Sequence, residues 1–225
     1  MYNNCYTVMF CSINPGQTQG HDLMTARDSD RSATGSIKGR LMVISGPSGT
    51  GKSTVVKRLA GDPRVAPYVS ISATTRTPRP GETHGVEYFF LSREEFEKLR
   101  SEGNLLESAE VHGNAYGTPS KPVMDQINQG GLVILEIDVQ GAAQVKERMP
   151  EAVFVFIHAP DMATLEARLR GRGTDSESVI QKRLENARQE IAEAHWYDYQ
   201  IINEFLDQTV NELVAHWTDL ISQGA

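Results

Sequence analysis

The sequence predicts an α/β protein built on a parallel β-sheet flanked by helices, with a mixed α/β insertion and a helical lid. From residue 41 onward, short apolar runs alternate with amphipathic stretches, which is typical of a parallel sheet covered by helices. The stretch 72–122 breaks this rhythm, which indicates an insertion with strands and a helix of its own. A length of 225 residues favours one contiguous fold over two independent cores.

The elements are predicted in chain order from these runs. Strands are expected at 41–45, 68–72, 132–137, 153–158 and 199–202, and helices at 54–59, 139–148, 162–169, 179–192 and 206–220. In the insertion, Val86, Tyr88 and Phe90 alternate as in a strand, 94–100 has a helical pattern and 105–111 an extended one. The predicted core is therefore 40–71, 120–160 and 190–225, the insertion 72–119 and the lid 161–189.

Composition excludes several classes of protein. With 39% hydrophobic and 23% charged residues, the chain has the make-up of a soluble globular protein. A net charge of −7 argues against a nucleic-acid partner, since sequence-independent binding relies on many Lys and Arg contacts to phosphates. No apolar run is long enough to span a bilayer, so no membrane partner is expected.

Residues 1–39 have no sustained period and are rich in polar residues and glycine, which predicts a flexible extension. Met24 could be an alternative start of translation, in which case residues 1–23 would not be part of the protein. The other interpretation of the extension is a regulatory arm. Both cysteines, Cys5 and Cys11, precede the first strand, and the first basic residue is Arg27. A disulfide there would not staple the core, and a secretory signal would begin with basic residues. The prediction is a cytoplasmic protein.

The first strand leads directly into a phosphate-binding motif. Residues 46–53 read Gly-Pro-Ser-Gly-Thr-Gly-Lys-Ser, which matches G-x-x-x-x-G-K-[ST] between a strand and a helix. Such a loop turns backbone N–H groups toward one anion, and the helix dipole adds to the attraction. The alternative is a glycine-rich turn that carries Lys-Ser by chance. The motif predicts a P-loop NTPase core that binds ATP with Gly46, Pro47, Ser48, Gly49, Thr50, Gly51, Lys52, Ser53 and Thr54.

A second apolar strand ends in two acids, Glu136 and Asp138. A carboxylate here would lie beside the phosphates, so Asp138 and Ser53 are the predicted ligands of Mg²⁺. Asp138 also suits the N-cap of the helix that starts at residue 139. The two interpretations are compatible, and both stay open.

Two further basic clusters suggest a kinase with a phosphorylated acceptor. Arg76 and Arg79 stand in a loop stiffened by Pro78 and Pro80, and two guanidinium groups can grip one phosphate. Exposed surface arginines are the simpler interpretation.

The second cluster is glycine-flanked and resembles a mobile lid. It comprises Arg168, Arg170 and Arg172, with Arg183 on the next helix. Arginines that close over ATP would offset charge on the transferred group. Predicted catalytic residues are Lys52, Arg79, Arg168, Arg172 and Arg183, whereas Arg170 suits an ordinary charged helix face equally well.

Several motifs together resemble the guanylate kinases, in the same order along the chain. They are the loop at 46–54, Ser-Ala-Thr-Thr-Arg-Thr-Pro-Arg-Pro-Gly-Glu at 72–82, Gly-Asn-Ala-Tyr-Gly-Thr at 113–118, Ile-Asp-Val-Gln-Gly at 137–141 and Arg-Gly-Arg-Gly at 170–173. The resemblance runs from about residue 40 to the C-terminus. It implies transfer of the γ-phosphoryl group of ATP to GMP.

The resemblance also implies where GMP binds. It places Ser72, Glu107 and Thr118 around guanine, where a carboxylate can accept from N1–H and from the exocyclic amine. It places Arg76, Arg79, Tyr88 and Tyr116 on the GMP phosphate, with Glu82 and Asp138 in the same site. Thr118 replaces a common serine but keeps the hydroxyl. Without the family, Glu107 would be interpreted as a solvated charge, and Tyr88 and Tyr116 equally well as core residues.

Other functions remain open from the sequence. A non-catalytic guanylate-kinase-like module that binds a phosphorylated peptide would not need the intact Gly51-Lys52-Ser53, and a P-loop kinase of a ribose bisphosphate would not need Glu107 with Thr118. A general base is not required, because a phosphate acceptor is already anionic near pH 7. The histidines His84, His112, His158 and His195 are therefore expected to be structural. The quaternary state is left as monomer or homodimer.

Overall fold

The computed structural model describes residues 39–111, 113–171, 173 and 175–222. Predictions for the N-terminal extension, Cys5, Cys11, His112 and Arg172 lie outside these residues. The described strands are β1 (Arg40–Ser45), β2 (Tyr68–Val69), β3 (Ala73–Thr74), β4 (Phe89–Phe90), β5 (Leu105–Val111), β6 (Asn114–Pro119), β7 (Leu132–Glu136), β8 (Val153–His158) and β9 (Tyr199–Ile202). The helices are α1 (Lys52–Ala60), α2 (Arg93–Ser101), α3 (Ser120–Asn128), α4 (Val139–Arg148), α5 (Met162–Arg170), α6 (Glu177–Ala192) and α7 (Leu206–Ser222).

The principal sheet has five parallel strands in the order β2-β7-β1-β8-β9. Its side chains alternate between two buried clusters: Met42 and Ile44 of β1 pack on the face covered by α1 and α7, while Leu41 and Val43 pack on the face covered by α3 and α4. Burial on both faces explains why these strands are continuous apolar runs. The predicted fold class is confirmed.

A second, mixed sheet in the order β4-β3-β6-β5 lies within the predicted insertion. Helix α2 covers it through Phe96, which is completely buried with Ala73, Leu105 and Ala115. Ser92 caps this helix by accepting from the Glu95 backbone N–H, and the Glu95 side chain accepts from Ser92 N–H in return. This capping box fixes the start of α2.

Helices α5 and α6 pack on each other through their own small cluster, which includes Leu165, Leu169 and Leu184. The predicted lid, 161–189, ends inside α6, which continues without interruption to Ala192. The domain limits given above stay predictions, and α6 extends through the last of them as one continuous helix.

Candidate active site

A cleft with a volume of about 470 Å³ opens beside the carboxyl ends of β1 and β7. These strands are paired in parallel, with Ile44 opposite Glu136, so the loops that follow them meet at the same edge, as expected for ligand sites of open α/β sheets. The cleft is lined by Gly46, Ser48, Gly49, Gly51, Lys52, Ser53, Thr54, Ser72, Tyr88, Glu107, Ala109, Val111, Tyr116, Gly117, Glu136, Ile137, Asp138 and Glu190. Residues predicted for each of the two substrates therefore share one space, whereas Arg76, Arg79, Glu82 and Thr118 do not border it.

The loop between β1 and α1 has the backbone of an anion-binding nest. Gly46, Gly49 and Gly51 all have positive φ angles, of 138°, 98° and 94°. At Gly46 a side chain is excluded as well, because a Cβ atom would lie 2.2 Å from the carbonyl oxygen of Ile157. Helix α1 begins at Lys52, directly after this turn, so its N-terminal dipole adds to the attraction for phosphate.

Lys52 lies folded over this loop. Its Nζ donates to the carbonyl oxygen of Pro47 at 3.0 Å and also to that of Gly46. The ammonium group is thereby held at the centre of the turn and borders the cleft. A flexible point charge in this position can reach phosphate oxygens.

The two acids at the carboxyl end of β7, Glu136 in the strand and Asp138 after it, have separate contacts. The hydroxyl of Ser53 donates to Glu136 Oε1 at 2.6 Å, whereas Asp138 Oδ1 accepts from the backbone N–H of Gly141 at 2.8 Å and caps α4. The capping interpretation of Asp138 is confirmed. Both carboxylates border the cleft, but Glu136 is the one joined to Ser53, and sequence reasoning did not select it.

Glu107 is buried, with 5% of its surface exposed, and its Oε1 accepts from the Thr118 hydroxyl at 2.7 Å. Burial raises the pKa of Glu107 to about 7, the hydrogen bond from Thr118 opposes this shift, and the negative charge of Asp138 adds to it. The interpretation of Glu107 as a solvated charge is therefore wrong. A buried carboxylate that faces a cleft is suited to accept hydrogen bonds from a ligand.

Beside Glu107 lie the aromatic and basic residues of the insertion. Tyr88 and Tyr116 meet edge to face, with ring centroids 6.1 Å apart, and the Arg76 guanidinium lies 5.4 Å from the centre of the Tyr88 ring. Both nitrogens of the Arg76 fork donate to Glu82, each at 3.0 Å. The tyrosines thus contact each other, are half-buried and border the cleft, so they are not core residues, and their role on the GMP phosphate stays a prediction.

Glu82 connects the two predicted phosphate-binding arginines. Its Oε2 accepts from the backbone N–H of Arg79 at 2.7 Å as well as from Arg76. The guanidinium of Arg76, and then the Arg79 amide, lower the pKa of Glu82 below its ordinary value. Arg79 itself is exposed. Glu82 therefore orients the loop and the Arg76 fork rather than bordering the cleft.

The predicted lid arginines contact the phosphate loop from outside. Arg168 donates to the carbonyl oxygens of Thr50, at 3.4 Å, and of Asn203, at 3.0 Å. Arg183 donates to the Ser48 hydroxyl at 3.1 Å. Arg170 pairs instead with Glu166 and Glu177, so it belongs to the charged surface of the helices.

Two more residues of this region were missed by sequence reasoning. Glu190, near the end of α6, is half-buried and borders the cleft; burial raises its pKa, the charge of Lys52 opposes the shift, and the charge of Asp138 adds to it. Asn203, directly after β9, is buried and contacts the loop. Glu190 has no distinctive sequence signal, because it is one of several acids on a polar helix. Asn203 could have been considered as a site residue, because it follows a strand of the sheet.

The histidines that the structure describes in this set do not border the cleft. His84 accepts from the backbone N–H of Phe90, and His158 contacts Gln200. His195 contacts the carbonyl oxygen of Ala192. These contacts agree with the expected structural role.

Comparisons with known proteins define the family. The family model described as guanylate kinase matches residues 38–219. A guanylate kinase of Carboxydothermus hydrogenoformans is 51% identical over 179 residues, which cover 79% of this chain and 87% of that protein. This chain belongs to the guanylate kinase family. Another family member, the guanylate kinase of Synechocystis, is also 51% identical, over 80% of this chain and 93% of its own length.

A solved guanylate kinase structure has the same fold. The crystal structure of the enzyme from Anaplasma phagocytophilum aligns with a TM-score of 0.66 and 35% identity, covering 81% of this chain and 86% of that one. The predicted family and fold are thus confirmed, and with them the prediction of an ATP-using kinase with GMP as acceptor. Among the described residues, none of the helices combines the length and apolarity needed to cross a membrane.

Proposed function

We propose that this chain transfers the γ-phosphoryl group of ATP to GMP, giving ADP and GDP, with the two substrates bound at opposite ends of the cleft. The observation that carries the proposal is the shared lining: Lys52 and Ser53 of the phosphate loop border the same space of about 470 Å³ as Ser72, Glu107 and Tyr116. Two nucleotides held there would have their phosphates between the two groups of residues. Such positioning supplies a large part of the rate of a bimolecular transfer.

ATP is the donor, bound by residues 46–54. The glycine turn and the first N–H groups of α1 would hold its β- and γ-phosphates, and Lys52 would exchange loop carbonyl contacts for phosphate oxygens. Arg168 and Arg183 reach this loop from α5 and α6, and their charges would stabilise the group in transfer. Arg172 is assigned to the same role from the sequence.

GMP is the acceptor. Glu107 would accept from the guanine N1–H and exocyclic amine, with the hydroxyl of Ser72 near O6. The Thr118 hydroxyl, also predicted for O6, donates to Glu107 instead and would hold that carboxylate toward the base. Adenine presents an acceptor at N1 and a donor at position 6, so it would leave Glu107 unpaired, which costs about 1–3 kcal/mol for each lost contact. Arg76, Arg79, Tyr88 and Tyr116 would bind the phosphate, with Glu82 holding Arg76 and Arg79 in place.

The chain needs no general base. The second pKa of a phosphate monoester is about 6, so GMP is already a nucleophile at neutral pH. The residues of the cleft instead hold two anionic groups together and offset their repulsion, which is work for Lys52 and the arginines. A lid over the cleft would also keep water from the γ-phosphate.

Mg²⁺ fits the oxygen donors of this site. Ser53 Oγ and Glu136 Oε1 are 2.6 Å apart, and the described residues have no cluster of three or more metal-binding side chains. This suits an ion held by one or two protein oxygens together with substrate phosphates. Ser53 and Asp138 are the assigned ligands, with Glu136 added by its contact to Ser53. When bound, Mg²⁺ neutralises charge on the phosphates.

The localisation and the partners are assigned from the sequence. We assign the protein to the cytoplasm, without nucleic-acid or membrane partners, as a monomer or homodimer. The formal charge of −7 supports the absence of a nucleic-acid partner.

A substrate panel tests the proposal. Purified protein is incubated with Mg-ATP and either GMP, AMP, CMP or UMP, and ADP release is followed. Turnover with GMP alone is expected. Turnover with a different acceptor would contradict the guanine site, and binding of GMP without turnover would support a non-catalytic module instead.

A further inference from the structure

The carbonyl oxygen of Thr50 is held by two side chains from different elements. Asn203, after β9, donates to it through Nδ2 at 2.8 Å, and Arg168 of α5 donates at 3.4 Å. Thr50 and Asn203 are both buried, with 1% and 6% of their surfaces exposed. Asn203 lies 153 residues from Thr50 in the chain, so this contact depends entirely on the tertiary fold.

Asn203 is itself fixed in one orientation. Its Oδ1 accepts from the Thr209 hydroxyl at 3.1 Å, and Thr209 is 1% exposed. Its backbone N–H donates to the carbonyl oxygen of His158 at 2.9 Å, which ties it to the end of β8. Because a carbonyl oxygen requires a donor, the contact to Thr50 leaves Oδ1 as the atom that faces Thr209.

The orientation of the Thr50 carbonyl determines the direction of the next N–H. A peptide group is planar and its C=O and N–H point in opposite directions. Holding the Thr50 oxygen toward Asn203 therefore turns the Gly51 N–H away from Asn203. Gly51 borders the cleft and precedes α1, so an N–H turned in this direction can donate to an anion in the cleft.

Contact between Asn203 and the loop is also close. A Cβ atom on Gly51 would lie 2.4 Å from Asn203 Nδ2. A side chain is therefore excluded at this position, which suits a glycine with a left-handed φ of 94°. Within the loop, the Thr50 hydroxyl donates to the Pro47 carbonyl at 2.9 Å, which closes the turn internally.

We propose that Asn203 is a positioning residue for the ATP site, which sets the Thr50–Gly51 peptide so that the Gly51 N–H faces the phosphates. This inference rests on the proposed function only for the identity of the anion, a nucleoside triphosphate. Thr209 acts through Asn203 by fixing its side-chain amide. Arg168 contacts the backbone oxygen of Asn203, which any substitution there retains.

The test compares Asn203→Ala with two variants of Thr209. Thr209→Val removes the hydroxyl and Thr209→Ser keeps it. Thr218→Val makes the same chemical change on α7 at an exposed position whose hydroxyl donates to Val214, so it controls for the substitution itself. Dissociation constants for ATP and, separately, for GMP are measured by calorimetry, and circular dichroism identifies the folded variants. Because ATP binding is measured without acceptor, turnover of the wild-type protein with GMP checks the proposed function independently.

Asn203→Ala is expected to raise the ATP dissociation constant roughly tenfold, the value of one well-placed hydrogen bond, and to leave GMP binding within about twofold. Thr209→Val should have a smaller effect in the same direction, and Thr209→Ser should restore wild-type affinity. Unchanged ATP affinity in folded Asn203→Ala would overturn the inference. An equal loss of ATP and GMP binding, or a Thr209→Ser variant as weak as Thr209→Val, would do so too. If Asn203→Ala does not fold, the Thr209 pair alone decides.

Discussion

Replacing Glu107 by glutamine is expected to stabilise the nucleotide-free protein at alkaline pH while weakening its binding of GMP. Glu107 is 5% exposed, and burial raises the pKa of its carboxyl to about 7 from an ordinary value of 4.5. At pH 8 the Glu107 carboxyl of the folded protein is therefore a buried negative charge, although burial favours its neutral, protonated form. Glutamine has nearly the same shape and no charge.

The magnitude follows from the pKa difference. A shift of one pKa unit corresponds to 1.36 kcal/mol, so a rise from 4.5 to about 7 corresponds to about 3 kcal/mol. The folded protein keeps its proton up to a higher pH than the unfolded chain, so the free energy of unfolding falls as the pH rises from 4.5 to 7. Below pH 4.5 this loss of folding stability is absent, and above pH 7 it has reached its full size.

Urea denaturation of the wild-type and Glu107→Gln proteins between pH 4 and pH 8, without nucleotide, measures this difference. The two unfolding free energies should nearly agree at pH 4 and diverge until the variant is more stable by up to about 3 kcal/mol at pH 8. Exposed Glu151 provides the control, because Glu151→Gln removes one negative charge and should not produce the divergence.

A Glu107→Gln protein that is no more stable than the wild-type protein at pH 8, or whose gain in stability is the same at every pH, would contradict this expectation. The same variant should raise the KM for GMP by roughly 100-fold, since its amide would face the guanine donors with a donor of its own. The variant would then be more stable and bind GMP more weakly, a combination that general damage to the fold would not produce.

Three further outcomes are expected. Lys52→Ala should abolish turnover but retain GMP binding. Lys57→Ala changes an exposed lysine of α1 and should keep full activity. Substantial residual activity in Lys52→Ala would refute the role of Lys52. Glu82→Gln should raise the KM for GMP about tenfold with a smaller change in kcat, because the paired contact to Arg76 is lost. Steady-state kinetics with varied GMP concentration measures this effect, and an unchanged KM would contradict it. The wild-type KM for GMP should rise as the pH falls below about 7, where Glu107 takes up a proton, and a similar rise in Glu107→Gln would assign the effect to another group.

Much of the fold can be predicted from local sequence patterns. The limits predicted for β8, β9, α4 and β5 agree with the structure, because apolar runs and helical spacing report burial within a few residues. The strand predicted at 68–72 is shorter, ending at Val69. Helix α3 and strand β6 were not predicted, since β6 contains glycine and proline and α3 follows it without a turn signal.

By itself the sequence determined the phosphate loop, because its glycines, Lys52 and Ser53 are contiguous and their conformation is local. Family motifs added the guanine-binding residues, although nothing local to Glu107 indicates that it is buried. Only the tertiary structure decided which acid meets Ser53, which arginine reaches Ser48 and which residue holds Thr50. Those partners are 83, 135 and 153 residues apart in the chain. Contacts of that kind depend on how sheet and helices pack, and burial shifts a pKa only after packing has removed the water.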